Sequence, residues 1–278
     1  MKDWHFRVPT AIGGVLALVV LWGQFGDQVG LPRLHLGRTT EPRQQEFRWS
    51  GVLAPGMTIE IKGINGSVTA ERSSGDRVEV LAVKVGRRSD PSLVEIATVE
   101  HAGGVTVCAV YPSPSGRRAN SCTPGDGGRM NTRNNDVQVR FTIRVPAGVN
   151  LAARTVNGSI KAAALQGDLF AQTVNGSIDL STTGAAKANT VNGSIKVEIG
   201  AITLLDDLEF NTVNGSITVV VPHGLNAEID ASTVGGRVST DFPLMVGRRG
   251  REMYGVVGVG GATIELHTVN GSVQLRSR

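Results

Sequence analysis

One six-residue phrase recurs along this chain and limits what it can fold into. Thr155-Val156-Asn157-Gly158-Ser159-Ile160 returns at 173–178, at 190–195 and at 212–217. A degenerate copy, Thr233-Val234-Gly235-Gly236-Arg237-Val238, follows, and a final one runs from Thr268 to Val273. An outlier lies far upstream at Ile64-Asn65-Gly66-Ser67-Val68. A period of about 20 residues with variable inserts marks stacked supersecondary units rather than one irregular domain.

The phrase has the chemistry of a bent strand pair. Val156 and Ile160 are its apolar members, and Thr155 and Ser159 are small and polar. Asn-Gly adopts positive φ at little steric cost and so bends the chain between two short β-branched segments. A hairpin would not require the same letters at each bend. A β-solenoid does, because like residues lie on like from coil to coil. The sequence therefore predicts an all-β chain whose 146–278 segment is a solenoid, with a thin core of Val, Ile and Leu. Asn65, Asn157, Asn175, Asn192, Asn214 and Asn270, with Gly66, Gly158, Gly176, Gly193, Gly215, Gly235, Gly236 and Gly271, are expected to be structural turn positions. Stacked Asn amides hydrogen-bond along such a ladder as they do in cross-β arrays.

Upstream, residues 1–7 form a short, basic start, expected to be cytoplasmic, and an apolar run covers 8–25. That layout belongs to an export signal or a hydrophobic membrane helix. Trp4 and Trp22 sit where interface anchors would, and Gly23-Gln24-Phe25-Gly26 is a poor cleavage site. A retained inner-membrane anchor is the preferred reading, with a cleaved signal and a periplasmic or secreted product as the alternative. Residues 26–45 read as a linker and 46–145 as an N-terminal β region, with strand alternation at 57–62, 77–85, 104–111 and 137–145. Residues 91–100 read as a short helix or a loop, and 112–136 as a long exposed loop.

The chain holds two cysteines, Cys108 and Cys122. In an exported protein such a pair points to a disulfide, worth roughly 3 kcal/mol on the chain-entropy model. Two free thiols are the alternative, and no His or Cys partner stands at metal-ligand spacing.

Residues 46–278 resemble the DUF4097 adhesin-like domain of bacterial envelope proteins. The matching features are the Ile64–Val68 phrase, Val145-Pro146-Ala147-Gly148, the Thr-Val-Asn-Gly-Ser-Ile copies and Val221-Pro222. Ser239-Thr240-Asp241-Phe242 and the Gly258-Val259-Gly260-Gly261 approach to the last copy complete the set. The resemblance implies a solenoid-like, commonly membrane-tethered domain engaged in adhesion or envelope sensing, without catalysis.

Chemistry is sparse. His5, His35, His101, His223 and His267 fit no metal or hydrolase motif. Asp206-Asp207 is the adjacent acidic pair that a glycan-cleaving β-helix would need, yet the accompanying motifs of such enzymes are missing. The glycine-rich 255–261 stretch precedes a strand pattern, so no helix terminus follows it to hold phosphate. The net charge is +4, and arginines group at 87–88, at 117–118 and at Arg248, Arg249 and Arg251. Basic loops of this kind would attract anionic envelope glycan or lipid. Nucleic acid is excluded for an exported domain without stacking aromatics.

The reading is an exported, non-catalytic cell-envelope module that binds or scaffolds and needs no cofactor. A signalling role through a protein partner and a glycan-acting enzyme are the alternatives. The coil ending soon after Val273 would leave an open sheet edge, and either the late 239–261 insert folds over it or it pairs with another copy in self-association.

Overall fold

The computed structural model describes residues 43–278 apart from 114, 117, 201–203, 205 and 248. The hydrophobic run 8–25, its flanking 1–7 segment and all of the linker up to residue 42 lie outside the described residues, as does Arg248. The described residues, from 43 on, belong to one compact unit. Among the described residues no helix is long and apolar enough to cross a membrane.

The first strands are β1 (Arg43–Val52), β2 (Thr58–Lys62), β3 (Val68–Arg72) and β4 (Arg77–Gly86). A single 3-10 turn at Pro91–Leu93 leads to β5 (Glu95–His101), β6 (Gly104–Val110) and β7 (Gln138–Val145). The array follows as β8 (Asn150–Arg154), β9 (Ile160–Leu165), β10 (Leu169–Gln172) and β11 (Ile178–Thr182). It continues through β12 (Ala186–Asn192), β13 (Ile195–Ile199), β14 (Leu208–Asn214) and β15 (Ile217–Val221). The last strands are β16 (Ala227–Thr233), β17 (Val238–Thr240), β18 (Met245–Val246), β19 (Glu252–Val257), β20 (Thr263–Asn270) and β21 (Val273–Ser277).

Each coil of the array contributes one strand to each of two sheets, with the Asn-Gly corner between them. The solenoid is thus two-sided. One sheet runs β1-β4-β7-β3-β9-β11-β13-β15-β21-β17, and the other runs β18-β19-β16-β20-β14-β12-β10-β8-β2-β6-β5. Pairing within the array is parallel, with a register shift between β9 and β11 after Leu180, and Ile178 lies on Ile195, Ile195 on Ile217 and Ile217 on Val273. Inward residues alternate with outward ones as the period of two requires. Ile160, Ile178, Ile195, Leu169, Ala171, Leu208, Phe210 and Leu266 fill the space between the sheets, and all are buried.

Several boundaries differ from those read in the sequence. Arg43, Gln44 and Gln45, read as linker, already pair with Gly86, Val85 and Lys84. No break occurs at residue 146, because β2 and β3 stack directly on β8 and β9. Residues 91–100, read as helix or loop, are a turn and an edge strand.

The far end of the stack departs most from expectation. The coil carrying the last phrase is not terminal in space: β20 lies between β14 and β16, and β21 lies between β15 and β17. The degenerate copy, earlier in sequence, covers it, and β19 closes β16 with antiparallel pairing. The open edge expected at the C-terminal coil, and with it the basis for self-association there, is therefore absent. The edges at this end are the short strands β17 and β18. Short edges are one way in which proteins suppress sheet-to-sheet association.

Candidate functional site

The corners show why the phrase repeats. Its threonine, not its valine, points into the core. Thr155, Thr173, Thr190, Thr212, Thr233 and Thr268 are buried, while Val156, Val174, Val191, Val213 and Val269 are 37–41% exposed. Valine had been expected in the core; it forms a column on the outer ridge instead. The inward hydroxyl donates to the glycine carbonyl of the adjacent coil, as from Thr173 to Gly158 (3.0 Å), Thr190 to Gly176 (3.0 Å) and Thr212 to Gly193 (2.9 Å). Threonine thus supplies a methyl to the core and a donor to a half-buried carbonyl that valine would leave without this partner.

The glycines are required by closeness. A Cβ on Gly193 would stand 2.1 Å from the Gly176 carbonyl oxygen, and one on Gly215 would stand 2.0 Å from that of Gly193. Positive φ, the property expected of them, holds within the phrase at Gly66 and Gly271 and not at the others. Asn65, Asn157, Asn175, Asn192, Asn214 and Asn270 form one amide ladder, each Nδ2 donating to the preceding Oδ1 at 2.8–2.9 Å. The ladder follows spatial order, and it ends at Asn270 because Gly235 occupies the next rung.

A concavity lies elsewhere, on the outer face of the sheet containing β2, β8, β10 and β12. It has a volume of about 720 Å³ and is lined by Glu60, His101, Arg154, Phe170 and Lys187 among others, with Asp168, Asp206 and Asp207 also present. In-register pairing creates it: Glu60 is beside Ala152, Ala152 beside Phe170 and Phe170 beside Lys187. Small Ala152 leaves a depression between larger neighbours.

The 112–136 loop, read as exposed, folds onto this face and forms one wall. A Cys108–Cys122 disulfide ties it to β6, with Cα atoms 5.7 Å apart. Lys62 projects beneath the loop and donates Nζ to the carbonyls of Thr123 (2.6 Å), Gly125 and Gly127 (3.1 Å). Burial pulls the Lys62 ammonium below the usual lysine range, opposed by the nearby Glu60 carboxylate. Glu60, itself 4% exposed, accepts from Thr106 Oγ1 (2.8 Å), Gly125 N–H (3.0 Å) and Arg154 Nε (3.2 Å). Arg154 continues outward to Gln172 and Asp126 and lies 4.4 Å over the Phe170 ring. The result is an ordered floor in which each charge has its partner.

That satisfaction bears on catalysis. His101 Nδ1 accepts from Gly103 N–H, which places the proton on Nε2, 3.3 Å from Thr106 Oγ1. The imidazole then donates to the threonine and cannot serve as its base. Asp207 accepts Thr263 N–H (2.8 Å), and Asp168 accepts Ala185 N–H (2.9 Å). These carboxylates staple adjacent coils. Two Ser–His contacts form elsewhere, Ser232 with His267 and Ser277 with His223. Asp241, beside the latter, accepts Ser277 N–H rather than an imidazole proton, so the order of a catalytic triad is not met. Among the described residues no cluster of three or more His, Cys, Asp and Glu is placed to hold a metal ion.

The arginine groups do not converge. Residues 87–88 and the 112–136 loop sit toward the β5–β6 end, where Arg88 pairs with Asp136. Arg249 and Arg251 belong to the β18–β19 turn at the opposite end. The strands flanking that turn carry the exposed residues Met245, Val246 and Tyr254. Sequence reasoning located this turn but missed the groove, since no motif connects Glu60, Arg154 and Phe170. The signals that existed were two charged residues on the strand 58–62 and a cysteine in a long loop.

No curated protein matches the chain. Among solved structures, a "putative cell adhesion protein" from Clostridium sporogenes is 11% identical, with 84% of this chain and 100% of that chain covered at a TM-score of 0.47. A "putative adhesin" from Bacteroides fragilis is 11% identical, with coverage of 84% and 97% and a TM-score of 0.38. A "putative lipid binding protein" from Parabacteroides distasonis is 10% identical, with coverage of 85% and 96% and a TM-score of 0.27. The family model that matches is Toastrack DUF4097, over residues 171–276 of this chain.

Proposed function

We propose that this protein is a non-catalytic binding module of the cell envelope, and that its ligand is a hydroxyl-rich glycan strand lying in the β2–β8–β10–β12 groove. The observation that carries this reading is the groove itself, whose polar floor is fully partnered and rigid. A preorganised floor loses little entropy on binding and offers no free acid–base pair for turnover. The partly exposed Phe170 edge and the Arg154 plane provide a stacking platform. Asp168, Asp206 and Asp207 give the rim acceptors for sugar hydroxyls, and leave it acidic, which disfavours an anionic ligand there. The disulfide supports an oxidising compartment, and so an exported body held by the 8–25 run.

A second reading rests on the opposite end. Arg249 and Arg251, in a hairpin turn whose strands expose Met245, Val246 and Tyr254, would suit an anionic lipid surface, by attraction and shallow insertion together. Co-sedimentation of residues 40–278 with a cell-wall glycan fraction and with anionic phospholipid vesicles separates the two. The groove reading expects pelleting with glycan that persists in high salt, is lost on combining Phe170→Ala with Lys187→Glu, and releases no soluble sugar. Pelleting confined to vesicles, abolished by salt and by changing Arg248, Arg249 and Arg251 to Ser, would replace it with the lipid reading. Sugar release lost in Asp206→Asn would establish an enzyme instead.

A further inference from the structure

Six Asn-Gly pairs occur in this chain, and each is followed by serine. Asn-Gly is the dipeptide in which the following backbone nitrogen attacks the amide side chain with least steric hindrance. The nitrogen must first be free, and the amide must be able to turn toward it. In five of the six pairs the fold prevents both. Gly66 N–H donates to Asn157 O, Gly158 to Asn175, Gly176 to Asn192, Gly193 to Asn214 and Gly215 to Asn270, all at 2.9–3.0 Å. The side-chain Oδ1 of each of the five asparagines also accepts from the next rung of the ladder.

Asn270-Gly271 stands at the end of that order. The neighbouring coil is the degenerate copy, with glycine at 235 and 236 where the phrase has Asn-Gly. Its rung therefore has no amide to donate to Asn270 Oδ1. Among the described residues Gly271 N–H has no acceptor, and Gly271 has φ of +156°, unlike the four preceding phrase glycines. Asn270 keeps one tie, from its Nδ2 to Asn214 Oδ1 (2.9 Å).

We infer that Asn270-Gly271 is a site of spontaneous modification in the folded protein, and that the ladder protects the other five pairs. Gly271 N loses its proton and bonds to Asn270 Cγ, the Cγ–Nδ2 bond breaks, and ammonia leaves. Water then opens the resulting succinimide to aspartate or isoaspartate. The product places an oxygen, in place of a donor, against Asn214 Oδ1, and so breaks the tie between the last coil and the fourth. The degenerate copy thus leaves one uncovered rung in an otherwise sealed array.

The test holds the full-length chain at mildly alkaline pH and follows each pair by mass spectrometry. Trypsin places each of the six asparagines on its own peptide, so each is read separately. In the folded protein the Asn270 peptide should gain the deamidation mass about fivefold faster than any other, the factor that one net hydrogen bond supplies. In denaturant the six should convert at similar rates, because their local sequences match. Equal rates in the folded protein would overturn the inference. So would an Asn270 lead of the same size in denaturant, since sequence and not the ladder would then be its cause.

Discussion

Changing Thr190 to valine isolates the contact on which the corner geometry depends. Thr190 is 5% exposed, and its hydroxyl donates to the Gly176 carbonyl at 3.0 Å. Valine has almost the same shape, so neither cavity nor clash results, and the difference is the hydrogen bond. Leaving this half-buried carbonyl without its donor costs about 1–3 kcal/mol, whereas the added methyl contributes at most about 0.8 kcal/mol in return. The expected net loss is about 1–2 kcal/mol. The control is Val191→Thr, at a position 39% exposed, where a change within about 0.5 kcal/mol is expected. Thr190→Ser keeps the donor and loses the methyl, and should fall by about 1 kcal/mol. Urea unfolding followed by circular dichroism gives the midpoints, compared at unchanged slope. A Thr190→Val midpoint at or above that of the parent, with Val191→Thr destabilised, would refute the assignment of threonine to the core and valine to the ridge.

Three further outcomes follow from the same geometry. Gly193→Ala sets a methyl 2.1 Å from the Gly176 carbonyl oxygen and should cost about 3 kcal/mol or prevent folding; recovery of soluble protein with an unshifted urea midpoint would contradict the close approach. Removing the disulfide with Cys108→Ala and Cys122→Ala should lower stability by about 3 kcal/mol. It should also make the 112–136 loop the first segment cut in limited proteolysis, and cleavage elsewhere first would argue against its role as a tether. Asp136 accepts the backbone N–H groups of Ser89 and Arg88, which holds its carboxyl down at about 2 against a usual 3.8. A depressed folded-state value contributes stability above the unfolded value that is lost as pH falls toward the folded one. Asp136→Asn should therefore flatten the acid decline between about pH 4 and pH 2, measured by thermal unfolding across that range, and an unchanged profile would contradict it.

The repeated phrase made the architecture legible, because identical residues at a near-constant period can stack only as coils. It also marked the amide ladder correctly, since asparagine in register has one self-consistent way to pair. Its inner and outer faces were not legible. Thr155 and Val156 are neighbours of similar size, and hydrophobicity alone assigns the core to valine; only the half-buried Gly66 carbonyl, supplied by another coil, reverses that choice. The order of the last coils was hidden for a related reason. Sequence order puts the 268–273 phrase last, whereas strand pairing lets the 227–240 segment lie over it and leaves Asn270 at the ladder's end. The groove was the least visible feature, because Glu60, Lys62, Arg154 and Phe170 come from three separate strands. Their meeting depends on parallel register and on a loop folded back over the sheet. A local repeat determines which residues stack, through side chains that meet their own copies. Contacts between unlike, distant segments set the cap, the buried charges and the site, and these exist only once the sheets have closed.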